Sequence, residues 1–202
     1  QMRPYAKKLQ EMLSNIVSNV DSSANIALAE VRAVKKVLLI VITSDRGLCG
    51  AYNANIQKAA LSTIQQRYSE VHGNGNLSIW AIGKKGAEFF QKRGYKVDTR
   101  YRDIFLQLSF EGVQVCAQEA IKAFGNKEFD AVEIVYSEFK NAATQRFVSE
   151  PFLPIPKHEN ANGEKTQKAD FIFEPAQEIL IAELMPKILN TQLYKAVRSE
   201  EH

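Results

Sequence analysis

Aliphatic and alternating stretches in the middle of the chain predict five β-strands. Residues 37–42 (VLLIVI) form an unbroken aliphatic run rich in β-branched side chains, which is the pattern of a strand covered on both faces of a parallel sheet. Residues 77–82 (LSIWAI) and 129–139 (FDAVEIVYSEF) predict two more strands. Residues 95–101 (YKVDTRY) are more polar, and residues 143–155 (ATQRFVSEPFLPI) end in prolines, so both are expected near the edges of the sheet.

Amphipathic segments separate these strands and predict helices over residues 54–71, 83–94 and 110–126. Asn53 or Asn55 is expected to cap the first helix, because an asparagine oxygen accepts hydrogen bonds from the free N–H groups at a helix start. Strands that alternate with helices favour an α/β fold, here a three-layer sandwich around a mostly parallel five-stranded sheet with one antiparallel edge strand. The residues expected to face the sheet are Ile56, Ala60, Leu61, Ile64 and Tyr68 in the first helix, and Val113, Cys116, Ala117, Ala120, Ile121 and Phe124 in the last.

Two further helices are predicted at the ends of the chain, over residues 2–22 and 176–200, and each has a narrow apolar stripe. Pairing the stripes would bury both, so we expect an antiparallel coiled coil. The predicted organisation is an N-terminal helix (1–24), a central α/β domain (30–173) and a C-terminal helix (174–202). The stripes are Met2, Tyr5, Leu9, Met12, Leu13, Ile16 and Val20 in one helix, and Ile179, Leu180, Leu184, Ile188, Leu189, Leu193 and Val197 in the other.

Composition narrows the class of protein. The 202 residues are 45% hydrophobic and 24% charged, which is ordinary for a globular domain that buries a core. A net charge of +3 is too small to indicate nucleic-acid binding. Cys49 and Cys116 are too few for a disulfide framework and favour a reducing compartment. No signal peptide is expected after Gln1, and the longest aliphatic run is too short to cross a membrane.

The turn after the first strand, SDRGLCGAYN, is the segment where chemistry could reside. A strand, a glycine turn and a helix start can together bind phosphate. However, Gly47 and Gly50 fit neither the dinucleotide-binding pattern nor the P-loop pattern, and Asp45 would repel a phosphate. This interpretation predicts a small phosphate-dependent enzyme.

A second interpretation makes Cys49 a nucleophile, because a helix start can lower the pKa of a thiol. A reactive thiolate needs a nearby histidine. His72, His158 and His202 all lie in segments that are not predicted to reach the turn. The alternative is a small apolar side chain packed under a corner of the fold.

The third interpretation is structural. The Ser44 and Asp45 side chains can accept hydrogen bonds from the N–H groups that follow them and so tie the turn. Gly47 can adopt a positive φ, and Gly50 lets the helix approach the strand closely. Arg46 would then lie on the surface. On this interpretation the chain has no catalytic, cofactor-binding or metal-binding residues.

The segment ITSDRGLCGAYN resembles the TSDRGLCGGFN segment of the gamma subunit of rotary proton-translocating ATP synthases. DAVEIVYSEFKNAATQ, PFLPI and NTQLYKAVRSEEH are similar to further segments of that family, in the same order. Residues 1–22 resemble the later part of the family's first shaft helix, and residues 176–202 resemble the first part of its last, so the resemblance implies a protein truncated at both helical ends.

The resemblance implies a non-catalytic protein without cofactors, a central rotor stalk that transmits torque between a membrane rotor ring and catalytic subunits. The implied partners are alternating alpha and beta nucleotide-binding subunits, an epsilon-type subunit and a ring of c subunits, with no nucleic acid and no direct membrane insertion. The implied location is peripheral, on the cytoplasmic face of a bacterial inner membrane, with the mitochondrial matrix side as the alternative. The competing hypothesis is a small cysteine- or phosphate-dependent enzyme on a Rossmann-like sheet.

A run of basic residues, which we call the basic segment, lies within residues 84–102. One interpretation is a solvated face, because scattered charge serves solubility. The other is a docking surface for polar or acidic loops of the rotor ring. Its members are Lys84, Lys85, Lys92, Arg93, Lys96, Arg100 and Arg102.

Overall fold

Five strands and four helices form the central part of the molecule. In the computed structural model, the described residues are 27–44, 51–107, 109–141 and 144–155, together with Asn190, Leu193, Tyr194 and Val197. Short 3-10 helices occupy Ala27–Ala29 and Ile104–Gln107. The other elements are β1 (Val37–Ile42), α1 (Tyr52–Arg67), α2 (Ser69–Gly73), β2 (Leu77–Ile82), α3 (Lys84–Lys92), β3 (Val97–Asp98), α4 (Phe110–Gly125), β4 (Ala131–Asn141) and β5 (Thr144–Leu153).

The five strands pair into one sheet in the order β3-β2-β1-β4-β5. Parallel pairing joins β1 to both β2 and β4, with Val37 opposite Leu77 on one side and Ala131 on the other. β3 also pairs in parallel with β2, whereas β5 runs antiparallel to β4. The predicted mostly parallel sheet with one antiparallel edge strand is therefore confirmed.

Both faces of the sheet are covered, which explains why β1 has no polar residue. Alternate residues of β1 point to opposite faces. Leu38, Ile40 and Ile42 pack in a core with α4, and Val37, Leu39 and Val41 pack in a second core with α1, α2 and α3. All six β1 side chains are fully buried, as the aliphatic run predicted. The result is the expected three-layer sandwich.

The first predicted helix differs from the prediction in two ways. It breaks at Tyr68, whose backbone φ of −129° is not helical, and a separate short helix then carries Val71 into the core. The N-cap residue is Ala51, without a side-chain capping bond, so the expected cap by Asn53 or Asn55 is wrong. The Asn53 side chain instead accepts a hydrogen bond from the Ser44 N–H, because the strand end competes for the same amide oxygen.

β3 is shorter than predicted, with two residues instead of seven. Asp98 ends the strand by accepting hydrogen bonds from both the backbone N–H and the Nε of Arg100. These bonds turn the chain away from β2. The expected position at the sheet edge is confirmed.

The predicted outer helices lie mostly outside the described residues. Asn190, Leu193, Tyr194 and Val197 are helical, and their spacing places them on one side of a helix. Leu193 and Val197 are fully buried in the same core as α4. The apolar stripe predicted that they are buried, but with the N-terminal helix as the partner and not α4. The N-terminal helix, the antiparallel coiled coil and the boundaries 1–24, 30–173 and 174–202 stay predictions. Among the described helices, none combines the length and the apolarity required to span a bilayer.

Candidate functional site

The turn that could carry chemistry is described only at its two ends. Residues 45–50 lie outside the described residues, and Asp45, Arg46, Gly47, Cys49 and Gly50 are among them. The structure places the end of β1, with Thr43 and Ser44, and the start of α1. This is the carboxyl edge of the parallel strands, where α/β folds commonly bind ligands.

The described half of this corner is a packed joint between β1 and the start of α3. Thr43 is fully buried, and its Oγ1 accepts a hydrogen bond of 2.7 Å from the N–H of Gly86. The carbonyl of Ser44 accepts the N–H of Lys85 at 3.3 Å. Asn53 completes the joint, since its Nδ2 donates to the Ser44 hydroxyl at 3.0 Å.

These contacts occupy N–H groups at the start of α3. The first N–H groups of a helix have no partner within the helix and can bind an anion. In α3, the Lys85 and Gly86 N–H groups already donate to the end of β1. The start of α3 is therefore not available to an anion. The phosphate interpretation concerned the turn after β1 and the start of α1, and residues 45–50 of that turn lie outside the described residues.

Two glycines make this close packing possible. A Cβ on Gly83 would lie 2.1 Å from the Thr43 carbonyl oxygen, and a Cβ on Gly86 would lie 2.8 Å from Thr43 Oγ1. Gly83 also has a φ of +98°. The sequence predicted a turn at Gly83 but missed Gly86, although a glycine inside an amphipathic helix costs about 1 kcal/mol relative to alanine and so indicates a close approach.

The described cysteine is unsuited to catalysis. Cys116 lies on the buried side of α4 and is fully enclosed by the core, as its helical position predicted. Burial raises the pKa of the Cys116 thiol, which keeps it protonated and unreactive at neutral pH. The His72 ring stacks on the half-buried ring of Tyr95, with 4.7 Å between the ring centroids, and not on a thiol. Cys49, His158 and His202 lie outside the described residues.

The basic segment follows the outer side of α3 and the chain that leads to and from β3. Part of its charge is balanced locally, because Lys85 lies 4.0 Å from Glu88, Arg100 lies 2.8 Å from Asp98 and Arg102 lies 3.7 Å from Asp103. Three members, Lys92, Arg93 and Lys96, are exposed and make no ion pair within the described part of the chain. The Arg93 guanidinium stacks on the Phe89 ring at 3.7 Å, which fixes its orientation.

A polar groove of about 730 Å³ lies between β3 and α4, with Trp80 in its lining. Arg100 covers Trp80 at 5.3 Å from the ring centroid. Three basic and three acidic side chains line the groove, so its charge is balanced. The basic residues are Lys96, Arg100 and Lys122, and the acidic residues are Asp98, Glu119 and Glu128. Across the described ranges, no three His, Cys, Asp or Glu side chains are grouped to hold a metal ion.

Comparison with known proteins gives one consistent result. A family model described as ATP synthase matches residues 1–201. The ATP synthase gamma chain of Cytophaga hutchinsonii is 42% identical over 195 residues, which cover 96% of this chain and 66% of the relative. The ATP synthase gamma chain of Chlorobaculum tepidum is also 42% identical, over 98% of this chain and 67% of the relative. The chain therefore spans about two thirds of the length of these relatives.

Solved structures share the fold. A chain in the cryo-EM structure of the central stalk and c-ring of Tetrahymena thermophila mitochondrial ATP synthase superimposes with a TM-score of 0.53. The identity is 17%, and the match covers 97% of this chain and 89% of that chain. A chain in the rotor of Euglena gracilis mitochondrial ATP synthase gives a TM-score of 0.50 at 16% identity, over 98% of this chain and 81% of that chain.

Proposed function

The chain belongs to the family of ATP synthase gamma chains, and on that premise we propose that it is a non-catalytic part of a central rotor stalk. In this role it transmits torque between a membrane rotor ring and the catalytic subunits that bind nucleotide. The observation that carries the proposal is the sequence match to bacterial gamma chains along almost the whole of this chain.

The packing of the α/β domain is consistent with a subunit that transmits torque. A rotor element must resist bending, and a sheet buried on both faces has little room to deform. β1 is central and fully buried, and the C-terminal residues Leu193 and Val197 are packed into the α4 core. A force applied to the C-terminal helix would therefore reach the sheet through side chains in direct contact.

We propose that the partners of this chain are other subunits of a rotary ATP synthase. The solved chains that share the fold come from a central stalk with its c-ring and from a rotor, which supports a place in a rotor assembly. The finer proposal is contact with alternating alpha and beta nucleotide-binding subunits, an epsilon-type subunit and a ring of c subunits. The bacterial relatives support a membrane-associated complex, for which we propose the cytoplasmic face of the inner membrane.

Affinity isolation of the full-length subunit from membranes tests the function. We expect a tagged subunit to co-purify with nucleotide-binding subunits and with a membrane ring in one complex. A tagged protein of similar size from the same cells is the control for nonspecific capture. Recovery of the subunit without any nucleotide-binding partner would contradict the proposal.

The basic segment is expected to contact the membrane rotor ring. Lys92 is exposed at the end of α3 and makes no ion pair with a described residue. If this surface meets acidic or polar loops, Lys92→Glu should slow assembly with the isolated ring several-fold at low ionic strength, and added salt should reduce the difference. Association kinetics with detergent-purified ring would measure it.

Lys58→Glu is the matched control, since Lys58 is an exposed lysine on α1, a helix on which the basic segment has no residue. The two variants change net charge equally. Equal slowing by both would mean that the effect reflects total charge only, and the solvated-face interpretation would then hold.

A further inference from the structure

The segment that leads into β1 is fastened across the fold by one arginine. Arg32 Nη2 donates to the carbonyl oxygens of Phe124 at 3.0 Å and Phe129 at 2.5 Å. Its guanidinium also lies 4.1 Å from the centroid of the Phe124 ring. Only 12% of the Arg32 side chain is exposed, so these contacts are largely shielded from water. A cation at this position also faces the negative end of α4.

Asp130 makes the other half of the connection. Its Oδ2 accepts the backbone N–H groups of Lys35 at 2.9 Å and Lys36 at 3.0 Å, and its own N–H donates to the Lys36 carbonyl. Its Oδ1 lies 3.4 Å from Arg32 Nε, an ion pair made without an aligned hydrogen bond. The Arg32–Asp130 clamp therefore joins residues 30–36 to the end of α4 and the start of β4.

The same helix receives the other end of the chain. Leu193 and Val197 are buried in the core to which α4 contributes Val113, Cys116 and Phe124. The backbone adds one more tie, since Ile155 at the end of β5 donates its N–H to the Leu28 carbonyl at 2.8 Å. The segment that leads into β1 and the C-terminal residues Leu193 and Val197 therefore both contact the α4 side of the sheet.

We propose that Arg32 and Asp130 are positioning residues for rotation, which lock the N-terminal entry of the shaft to α4 so that the shaft and the sheet turn as one body. This inference rests on the proposed function. The clamp is polar and directional, and a guanidinium that bridges two carbonyls resists twisting about the segment better than apolar contacts do. Without it, residues 30–36 would form a compliant link between rotor and domain.

The test uses the full-length subunit assembled in its complex, with a bead attached to the rotor ring. Arg32→Gln should widen the angular fluctuation of the bead while the catalytic subunits hold the shaft at rest, and ATP hydrolysis itself should continue. Hydrogen exchange at residues 30–36 should become on the order of tenfold faster, because bonds to a charged donor are lost. In both measurements Arg32→Lys should fall between the parent and Arg32→Gln. A lysine restores the charge beside Asp130 but cannot bridge both carbonyls in one plane.

Arg67→Gln is the matched control, because it breaks an arginine–carboxylate pair on the opposite face of the sheet and leaves residues 30–36 untouched. Its angular fluctuation should equal that of the parent. An unchanged fluctuation for Arg32→Gln, or an equal rise for both variants, would overturn the inference. If Arg32→Gln does not assemble, Arg32→Lys is compared with the parent instead, and a value equal to that of the parent would overturn the inference. Failure of the parent subunit to assemble would instead overturn the proposed function.

Discussion

Gly83→Ala is expected to lower the free energy of unfolding by about 3 kcal/mol or more. The backbone at Gly83 has φ 98° and ψ 142°, a combination that is almost confined to glycine. The new Cβ would also lie 2.1 Å from the Thr43 carbonyl oxygen and 2.7 Å from its carbon. Thr43 cannot move aside easily, because its N–H is bonded to the Ile82 carbonyl at the end of the neighbouring strand. Urea denaturation measures the effect.

Gly94→Ala is the matched control. Gly94 has a φ of +79°, but a Cβ there would have no atom within 4 Å. Backbone strain alone should cost about 1–2 kcal/mol. The difference between the two variants reports the steric contact at the joint together with the rarer backbone conformation of Gly83. Equal urea midpoints would show that the approach between Thr43 and α3 is not as tight as the structure has it.

Arg67→Met is expected to be almost as damaging, at about 3 kcal/mol, because it strands a buried carboxylate. Glu133 on β4 is 2% exposed, and its Oε1 lies 2.6 Å from Arg67 Nη2 at the end of α1. Tyr68 lies beside the same carboxylate, and burial followed by the influence of Glu133 raises the pKa of the Tyr68 hydroxyl. No other cation is paired with Glu133 among the described residues.

The double variant Arg67→Met with Glu133→Met separates a lost attraction from a stranded charge. Replacing a whole buried pair with apolar side chains is often neutral, so we expect stability within about 1 kcal/mol of the parent. Arg100→Met is the exposed control, since Arg100 and Asp98 are 54% and 32% exposed and the pair should contribute less than about 1 kcal/mol. A double variant as unstable as Arg67→Met alone would contradict this account.

The candidate site was only partly predictable from the sequence. The turn after β1 was correctly placed between a buried strand and a helix, and the lack of a phosphate motif was visible in its residues. The joint itself was not predicted. It depends on Thr43 and Gly86, which are 43 positions apart, and on an Asn53 side chain that bonds to the strand end and does not cap α1. Such choices depend on which partner is nearest in space.

The sequence by itself determined the order and type of the elements, because hydrophobic periodicity is local and each strand or helix must bury its own apolar side. The aliphatic run of β1, the apolar side of α4 and the edge position of β5 all followed from neighbouring residues. Only the tertiary structure decided where the isolated polar groups go. Arg32 meets the Phe129 carbonyl across 97 positions, and Arg67 meets Glu133 across 66. A charged residue on its own carries no periodic signal, and its burial becomes favourable only when folding brings a distant partner within hydrogen-bond distance.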